Sequence, residues 1–280
     1  MNAFLDCIPC LLRQALDASR MAGADEPIQE NIIRSLLDAF SRTSLTQYPA
    51  QLGYMAHNIV KRETKCPDPY NLMKIEYNQL AQEMYPELKQ MVLNSPNPLE
   101  TAVRLAIAGN IIDFAIRDSA TVHTAIKDVL TKPFAIDHLE IFDHAIAESK
   151  KILYIGDNAG EIIFDKLLVE LLPLEKITYA VKSGPIINDA TMEDAIFAGL
   201  TGLVRVISTG ADTPGTLMKL CSSEFKNAFE QADLVISKGQ ENYETLRNSH
   251  YNIFFLLRVK CPTIARDTGQ PIGSIIVQRA

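Results

Sequence analysis

Two short polar stretches follow apolar runs in the second half of the chain, and both carry residues of the kind that bind metal ions. Asp157 and Asn158 come after the run 152–155, and Asp189 lies in the stretch after the next run, 177–181. Oxygen ligands without His or Cys suit Mg²⁺ or Mn²⁺ better than a zinc-only site. Such an ion usually keeps open positions for water and a substrate phosphate.

Three lysines, Lys182, Lys238 and Lys260, follow three of the apolar runs, 177–181, 234–236 and 253–257. Their charge could hold an anion, while Gly160 and Gly215 would let backbone N–H groups approach it closely. Each residue taken alone is better explained as a helix cap or a solvated side chain. Metal ligands, cations and exposed amides together predict a site for phosphoryl chemistry.

The elements that must position these residues begin at about residue 150, where short apolar runs alternate with helical segments. The runs cover 152–155, 177–181, 203–207, 234–236, 253–257 and 274–277, and the helical segments cover 162–172, 191–198, 216–220, 224–232 and 242–247. Continuous apolar strands separated by helices indicate a parallel sheet covered on both faces. We predict a doubly wound α/β domain over 150–280, with the last run as an edge strand. In such a sheet ligands bind beyond the carboxyl ends of the strands, where strand order reverses.

The first 149 residues show a different pattern, with apolar residues recurring every three or four positions. This spacing is typical of amphipathic helices, so we predict an α-helical domain over 1–149. Gly109 stands out because glycine within a helix costs about 1 kcal/mol against alanine and often marks close packing or a functional contact. Asn110 and Asp113 share one helix face, which either looks onto the sheet edge or forms a polar stripe facing solvent.

Composition limits the class of protein and its partners. The chain has 280 residues, of which 47% are hydrophobic and 22% charged, and a formal net charge of −7 that argues against a nucleic-acid partner. No stretch approaches the roughly 20 apolar residues that span a bilayer, and the first residues lack the pattern of an export signal. Five cysteines are an odd number and do not suggest a disulfide framework. We expect a soluble cytoplasmic protein without a membrane partner.

The motif Cys7-Ile8-Pro9-Cys10 has three possible explanations. It could be half of a zinc site, whose other ligands would come from Cys66, His57 or elsewhere. It could be a redox pair, although a thioredoxin-like pair expects a preceding strand and only six residues precede Cys7. The simplest explanation is two buried thiols at the start of a helix, and it is slightly favoured over metal binding. The motifs of dinucleotide-binding folds, P-loop nucleotide triphosphatases and serine hydrolases do not occur.

The motifs taken together resemble the metal-dependent damage-control phosphatases, formerly called domain of unknown function 89. In chain order they are CIPCLLRQAL, CPDPY, AGNIIDF, GDNAGEIIFDKLL, VKSGPIINDAT, STGADTPGT, SKGQENYETL and VKCPTIA. The length and the N-terminal CxxC resemble the stand-alone prokaryotic branch. The resemblance implies a helical domain beside a Rossmann-like α/β domain with a mostly parallel sheet.

By this resemblance, Asp157, Asn158 and Asp189 would be the protein ligands of a divalent metal ion, Mn²⁺, Co²⁺, Ni²⁺ or Mg²⁺. The implied activity is hydrolysis of small phosphomonoesters, sugar phosphates or damaged phosphometabolites. Asp157, Asp189 and Lys238 are the predicted catalytic residues, with Asp157 acting either as a ligand only or also as the nucleophile. The predicted substrate-binding residues are Asn110, Asp113, Gly160, Lys182, Lys238 and Lys260.

Two other functions remain open at this point. The same pocket would serve a non-catalytic sensor of phosphometabolites or nucleotides, a hypothesis favoured by the lack of an obvious His or Glu general base. Alternatively, the CxxC motif would make the chain a metal-storage or redox protein.

Overall fold

The computed structural model describes residues 3–44, 47–110 and 119–280, and these contain twelve α-helices and seven β-strands. The helices are α1 (Cys7–Met21), α2 (Glu26–Ser41), α3 (Pro49–Thr64), α4 (Asn71–Leu93), α5 (Pro98–Gly109), α6 (Ser119–Thr131), α7 (Leu139–Glu148), α8 (Glu161–Val169), α9 (Met192–Phe197), α10 (Ser223–Gln231), α11 (Gln240–Leu246) and α12 (Pro262–Thr268). The strands are β1 (Ile136–Asp137), β2 (Ile152–Ile155), β3 (Ile177–Val181), β4 (Arg205–Ser208), β5 (Leu234–Lys238), β6 (Ile253–Arg258) and β7 (Ile275–Arg279). No helix in these ranges has both the length and the apolar character needed to cross a membrane.

Local sequence sets where several helices begin. The side chain of Asp25 accepts a hydrogen bond from the N–H of Ile28 at 3.1 Å, which caps α2. Asn97 caps α5 in the same way, accepting from the N–H of Glu100 at 3.2 Å. Each capped helix has proline in its first turn, where the missing N–H is not needed.

The seven strands form one sheet in the order β1-β7-β6-β5-β2-β3-β4. Strands β2 to β6 are mutually parallel, β7 runs antiparallel to β6, and β1 pairs with β7 in parallel. The predicted α/β fold with a mostly parallel sheet is confirmed. Strand β7 is not at the edge, because β1 covers its outer side; β1 was not predicted, since two residues give no readable apolar run.

Both faces of the sheet are buried, as a doubly wound fold requires. Alternate residues of β2 show this, because Tyr154 packs in one hydrophobic core and Leu153 in another. Helices α4, α5 and α8 cover the first face, and α10, α11 and α12 cover the second. The first core joins residues from both sides of the predicted boundary at 149/150, and it brings α4 and α5 against α8.

A third core lies among α1, α2 and α3. It also receives Ile186 and Ile187 from the segment after β3, so this three-helix group packs on a loop at the carboxyl edge of the sheet. The N-terminal helices therefore cover the edge where the predicted site residues lie.

Candidate functional site

Strand order reverses between β2 and β5. From β2 the chain proceeds outward through β3, whereas from β5 it proceeds outward in the opposite direction through β6. The segments that follow these parallel strands leave the sheet at the same edge and form a crevice there. Asp157, Lys182, Glu241 and Lys260 all lie on these segments.

Backbone hydrogen bonds join the segment after β2 to the segment after β3. The N–H of Ala190 donates to the carbonyl oxygen of Asp157 at 2.8 Å, and the N–H of Ala159 donates to that of Asn188 at 2.9 Å. Asn158 and Asp189 also form an isolated antiparallel bridge. Residues 29 to 33 positions apart in sequence are thus held side by side by the main chain.

Ile187, two residues before Asp189, adopts a φ of 46°. A β-branched residue rarely occupies this left-handed region, and doing so costs on the order of 1–3 kcal/mol. Burial of its side chain in the core of α1 to α3 offsets that cost. The strained turn directs the chain back toward the Asp157 loop and so fixes where Asp189 lies.

Three carboxylates converge in the crevice, those of Asp157, Asp189 and Glu241, which we call the acidic trio. One ligand oxygen from each lies within 4.8 Å of the others. Asp157 and Asp189 are buried and Glu241 is half-buried. Sequence reasoning selected the two aspartates and missed Glu241, although it too is a carboxylate just after an apolar strand.

Burial and mutual repulsion disfavour ionisation of the three carboxyl groups. Burial raises the pKa of Asp157 well above its usual range, and the charges of Glu161 and Asp189 raise it further. Burial likewise raises the pKa of Asp189 to about 8, with Lys182 opposing the shift and Glu241 adding to it. For Glu241, burial followed by the charges of Asp157 and Glu244 raises the pKa to about 8. Burial is the largest cause of each shift, and the neighbouring carboxylates add to it, so the ionised forms of all three groups are disfavoured.

Two side-chain amides orient Asp157. The Nδ2 of Asn110, at the end of α5, donates to Asp157 Oδ2 at 2.8 Å and to Glu161 Oε2 at 2.6 Å. The Nδ2 of Asn158 donates to the same two oxygens at 2.8 and 3.0 Å. The side-chain oxygen of Asn158, Oδ1, is consequently the atom that remains for a metal ion.

Gly239, between β5 and α11, allows Asp157 its position. Its φ is 77°, and a Cβ built on it would overlap both carboxylate oxygens and Cγ of Asp157. Asn242 fixes the start of α11 nearby, because its Nδ2 donates to the carbonyl oxygens of Gly156 at 3.2 Å and Lys238 at 2.9 Å. No role was predicted for Gly239 or Asn242, although both lie in the stretch after the fourth apolar run, where ligand-binding residues are expected.

The three predicted lysines have different surroundings. Lys182 is buried, donates to the carbonyl oxygen of Gly215, and has its Nζ 3.4 Å from Asp189 Oδ2. Lys260 is half-buried, and its charge lowers the pKa of both Asp157 and Glu241 against the larger effect of burial. These two cations therefore adjoin the acidic trio.

Lys238 is completely buried behind the crevice. Its Nζ donates to Glu161 Oε1 at 2.6 Å, Asp165 Oδ1 at 2.5 Å and the carbonyl oxygen of Ala106 at 2.8 Å. Burial would lower the pKa of Lys238, but the carboxylates of Asp165 and Glu161 raise it above its ordinary value. All three ammonium hydrogens are used, so a phosphate would have to displace one of these acceptors to bind Lys238.

The remaining predicted contacts are those of Gly160, Gly215 and Asp113. The N–H of Gly160 donates to Asn78 Oδ1 at 2.7 Å and is therefore already paired in this structure. Gly215 packs so tightly on α11 that a Cβ would overlap the carbonyl oxygen of Glu241. Asp113 lies outside the described residues.

The donor set fits a hard divalent cation. Asp189 Oδ2 is buried and accepts no hydrogen bond of good geometry; the Nζ of Lys182, 3.4 Å away, is a charged neighbour of this oxygen, which leaves it able to bind a cation. Three carboxylates and one amide oxygen are the ligand types that Mg²⁺ and Mn²⁺ prefer. Asp157, Asp189, Glu241 and Asn158 are the residues that would hold such an ion.

Comparisons with known proteins place this geometry in context. The profile of the Damage-control phosphatase ARMT1-like domain matches residues 3–276. The chain is 35% identical to an uncharacterized protein of Methanocaldococcus jannaschii, over 97% of this chain and 93% of that protein. It is 34% identical to a protein named damage-control phosphatase from Pyrococcus horikoshii, over 100% of this chain and 98% of the other.

A further relative from Archaeoglobus fulgidus, also named damage-control phosphatase, is 33% identical, with 97% of each chain covered. Among solved structures, the crystal structure of a DUF89 family protein from Pyrococcus horikoshii matches with a TM-score of 0.92 and 34% identity. The match covers 100% of this chain and 99% of that one.

Proposed function

Because this chain belongs to the damage-control phosphatase family, we propose that it hydrolyses small phosphomonoesters in a reaction that depends on a divalent metal ion. The proposed substrates are sugar phosphates or damaged phosphometabolites. The observation that carries the proposal is the acidic trio, whose three carboxylates converge beside two lysines at the crevice of the sheet. A buried concentration of negative charge is expensive unless a cation binds there.

The proposed ligands are Asp157, Asp189 and Glu241, with the side-chain Oδ1 of Asn158 as a fourth. A divalent ion held by these residues would supply a Lewis acid for the phosphoryl group and for an attacking water. Mn²⁺, Co²⁺, Ni²⁺ and Mg²⁺ are the candidates, since each accepts oxygen ligands. The amide hydrogen bonds to Asp157 Oδ2 keep this carboxylate in one orientation, which suits either a ligand or a nucleophile.

Lys182 and Lys260 are the proposed phosphate-binding cations. Both adjoin the acidic trio, and their ammonium charges would attract a phosphomonoester dianion and offset charge that develops during transfer. Lys238 lies behind the crevice and acts indirectly, because it donates to Glu161, and Glu161 in turn accepts from Asn110 and Asn158. In this proposal Lys238 supports Asp157 indirectly.

The proposal is tested by measuring phosphate release from an aryl phosphate and from a panel of sugar and cofactor phosphates. Chelator-treated protein should be inactive and should regain activity with at least one of Mn²⁺, Co²⁺, Ni²⁺ and Mg²⁺. Asp157→Ala should reduce release to the level seen with chelator, because it removes a central ligand. Asp143→Ala, on the exposed face of α7, is the matched control and should behave like the wild type.

Two results would contradict the proposal. Release that is unaffected by chelator or by Asp157→Ala would exclude this site as the catalytic one. Thermal stabilisation by phosphometabolites without turnover under any of the four metals would instead support a sensor.

A further inference from the structure

A cavity adjoins the acidic trio between α1, α3, α11 and α12. It has a volume of about 120 Å³. Its wall contains three of the five cysteines, Cys7, Cys10 and Cys261, together with Glu241 and Glu244. Because Glu241 also belongs to the acidic trio, the thiols adjoin the proposed active site.

The two cysteines of the CxxC motif are placed for a disulfide by helix geometry. Cys7 is the first residue of α1 and Cys10 follows three residues later, with Pro9 between them. In an α-helix, Cα atoms three residues apart are roughly 5 Å from each other. That separation lies inside the range of about 4.4–6.8 Å that disulfides require.

The two thiols also differ in accessibility, as an exchanging pair needs. Cys10 is exposed, whereas Cys7 is half-buried with its Sγ 3.6 Å from Thr263 Oγ1 at the start of α12. An external reagent therefore meets Cys10 first. Cys7 lies one helical turn behind it and is available for the second step.

The thiols in the cavity wall are not gathered around a common point, as the ligands of a metal ion would be. Within the described residues, the acidic trio is the only set of three such ligand atoms that lie within 4.8 Å of one another, so the thiols are not gathered as a metal site.

We propose that Cys7 and Cys10 are a dithiol that exchanges reversibly with low-molecular-weight disulfides such as oxidised glutathione. The Cys10 thiolate attacks one sulfur of the small disulfide, forms a mixed disulfide and expels one small thiolate. The Cys7 thiolate then attacks Cys10 Sγ, forms the Cys7–Cys10 bond and expels the second small thiolate. The two protein thiols lose two electrons and two protons, and the small disulfide becomes two thiols.

The test equilibrates the full-length protein with mixtures of reduced and oxidised glutathione, then alkylates the free thiols in denaturant and measures the intact mass. The wild type should pass from five alkylated thiols to three as the mixture becomes oxidising, with peptide mapping assigning the bond to Cys7 and Cys10. The transition should not depend on protein concentration, because the bond is intramolecular. Phosphatase activity is not needed for this measurement, so the result is independent of the proposed function.

Single variants identify the partners. Cys7→Ser should stop the reaction at the mixed disulfide, leaving one glutathione on Cys10, whereas Cys10→Ser should leave Cys7 free. Cys221→Ser and Cys261→Ser are controls that should keep the pair intact. Five free thiols in the wild type at the most oxidising ratio would overturn the proposal. So would a bond to Cys261, or a tightly bound zinc ion that blocks exchange.

Discussion

Asp157 is the residue with the most constrained surroundings in the site. Its Oδ2 accepts from Asn110 and Asn158, its carbonyl oxygen accepts from Ala190, and Gly239 leaves just enough room for its carboxylate. Such support fixes one side-chain orientation in advance of ligand binding. Preorganisation of this kind reduces the cost of assembling a site when substrate arrives.

At the same scale, Lys238 gives a prediction that separates a structural from a substrate-binding role. Lys238→Met should lower the free energy of unfolding by about 3–5 kcal/mol, because it leaves the buried carboxylates of Glu161 and Asp165 without their cation. Denaturant titration measures the change. Lys219→Met, at an exposed position, should leave stability within about 0.5 kcal/mol of the wild type.

An unchanged unfolding midpoint for Lys238→Met, combined with a raised KM for phosphate esters, would contradict the structural role. That outcome would instead support the direct contact between Lys238 and phosphate that was predicted from its motif.

At the level of elements, α4 reaches two of the site's loops through a single side chain. Asn78 accepts from the N–H of Gly160 at 2.7 Å and donates to Asp194 Oδ1 at 2.7 Å. Asp194 in turn caps α9 by accepting from the N–H and hydroxyl of Thr191. One helix thereby joins the segment that carries Asp157 to the segment that carries Asp189.

Asn78→Ala should consequently disturb metal use as well as stability. The buried N–H of Gly160 and the Asp194 carboxylate would each lose a partner, at a cost of about 1–3 kcal/mol. We expect the metal concentration for half-maximal activity to rise roughly 10-fold, as for other residues that support metal ligands. A metal titration of phosphate release measures this. Asn71→Ala, exposed at the start of α4, is the control, and equal metal dependence in both variants would refute the link.

The elements also show what sequence patterns can and cannot predict. Strands β2, β3, β5 and β6 were predicted because buried parallel strands are continuous apolar runs. The segment 216–220 was predicted to be helical but forms turns, since the side chain and N–H of Thr216 bond to Asn242 and Thr245 of α11. Strand β1 is defined only by its partner β7, and no local pattern marks it.

Some residues of the site were likewise predictable from sequence, and others were not. Asp157 and Asp189 were found because topology alone brings strand ends together. The hydrogen bonds that Lys238 donates behind the crevice were not predictable, because they depend on how α5 and α8 pack around its ammonium group. Local sequence shows which residues can do chemistry, whereas the helical layer decides which of them face the crevice.

At the level of the whole molecule, the buried His57 makes the fold sensitive to acid. Its ring lies in α3 with Nε2 unpaired, and burial followed by the charge of Lys61 lowers its pKa to about 4 from 6.5. The folded state therefore holds His57 neutral between these two values, while the unfolded chain takes up a proton. The contribution of His57 to stability is therefore fully present above about pH 6.5 and is lost as the pH drops toward 4.

We predict that His57→Gln removes this part of the acid sensitivity. The difference of about 2.5 pKa units corresponds to roughly 3 kcal/mol of unfolding free energy between pH 7 and pH 4. Thermal melts across that range should show a shallower decline for His57→Gln than for the wild type. His250→Gln, at an exposed position, should follow the wild-type curve, and three parallel curves would refute the assignment.

Because Asn78 and Asn110 reach the carboxylate loops from α4 and α5, the smallest segment that can be exchanged between related chains is larger than the sheet. A chimera that takes residues from 150 onward from one relative and the rest from another would keep every carboxylate. It would, however, place each of them against amides that evolved beside a different partner. In a chimera whose crossover lies before α4, the carboxylates and the amides that support them would come from the same relative.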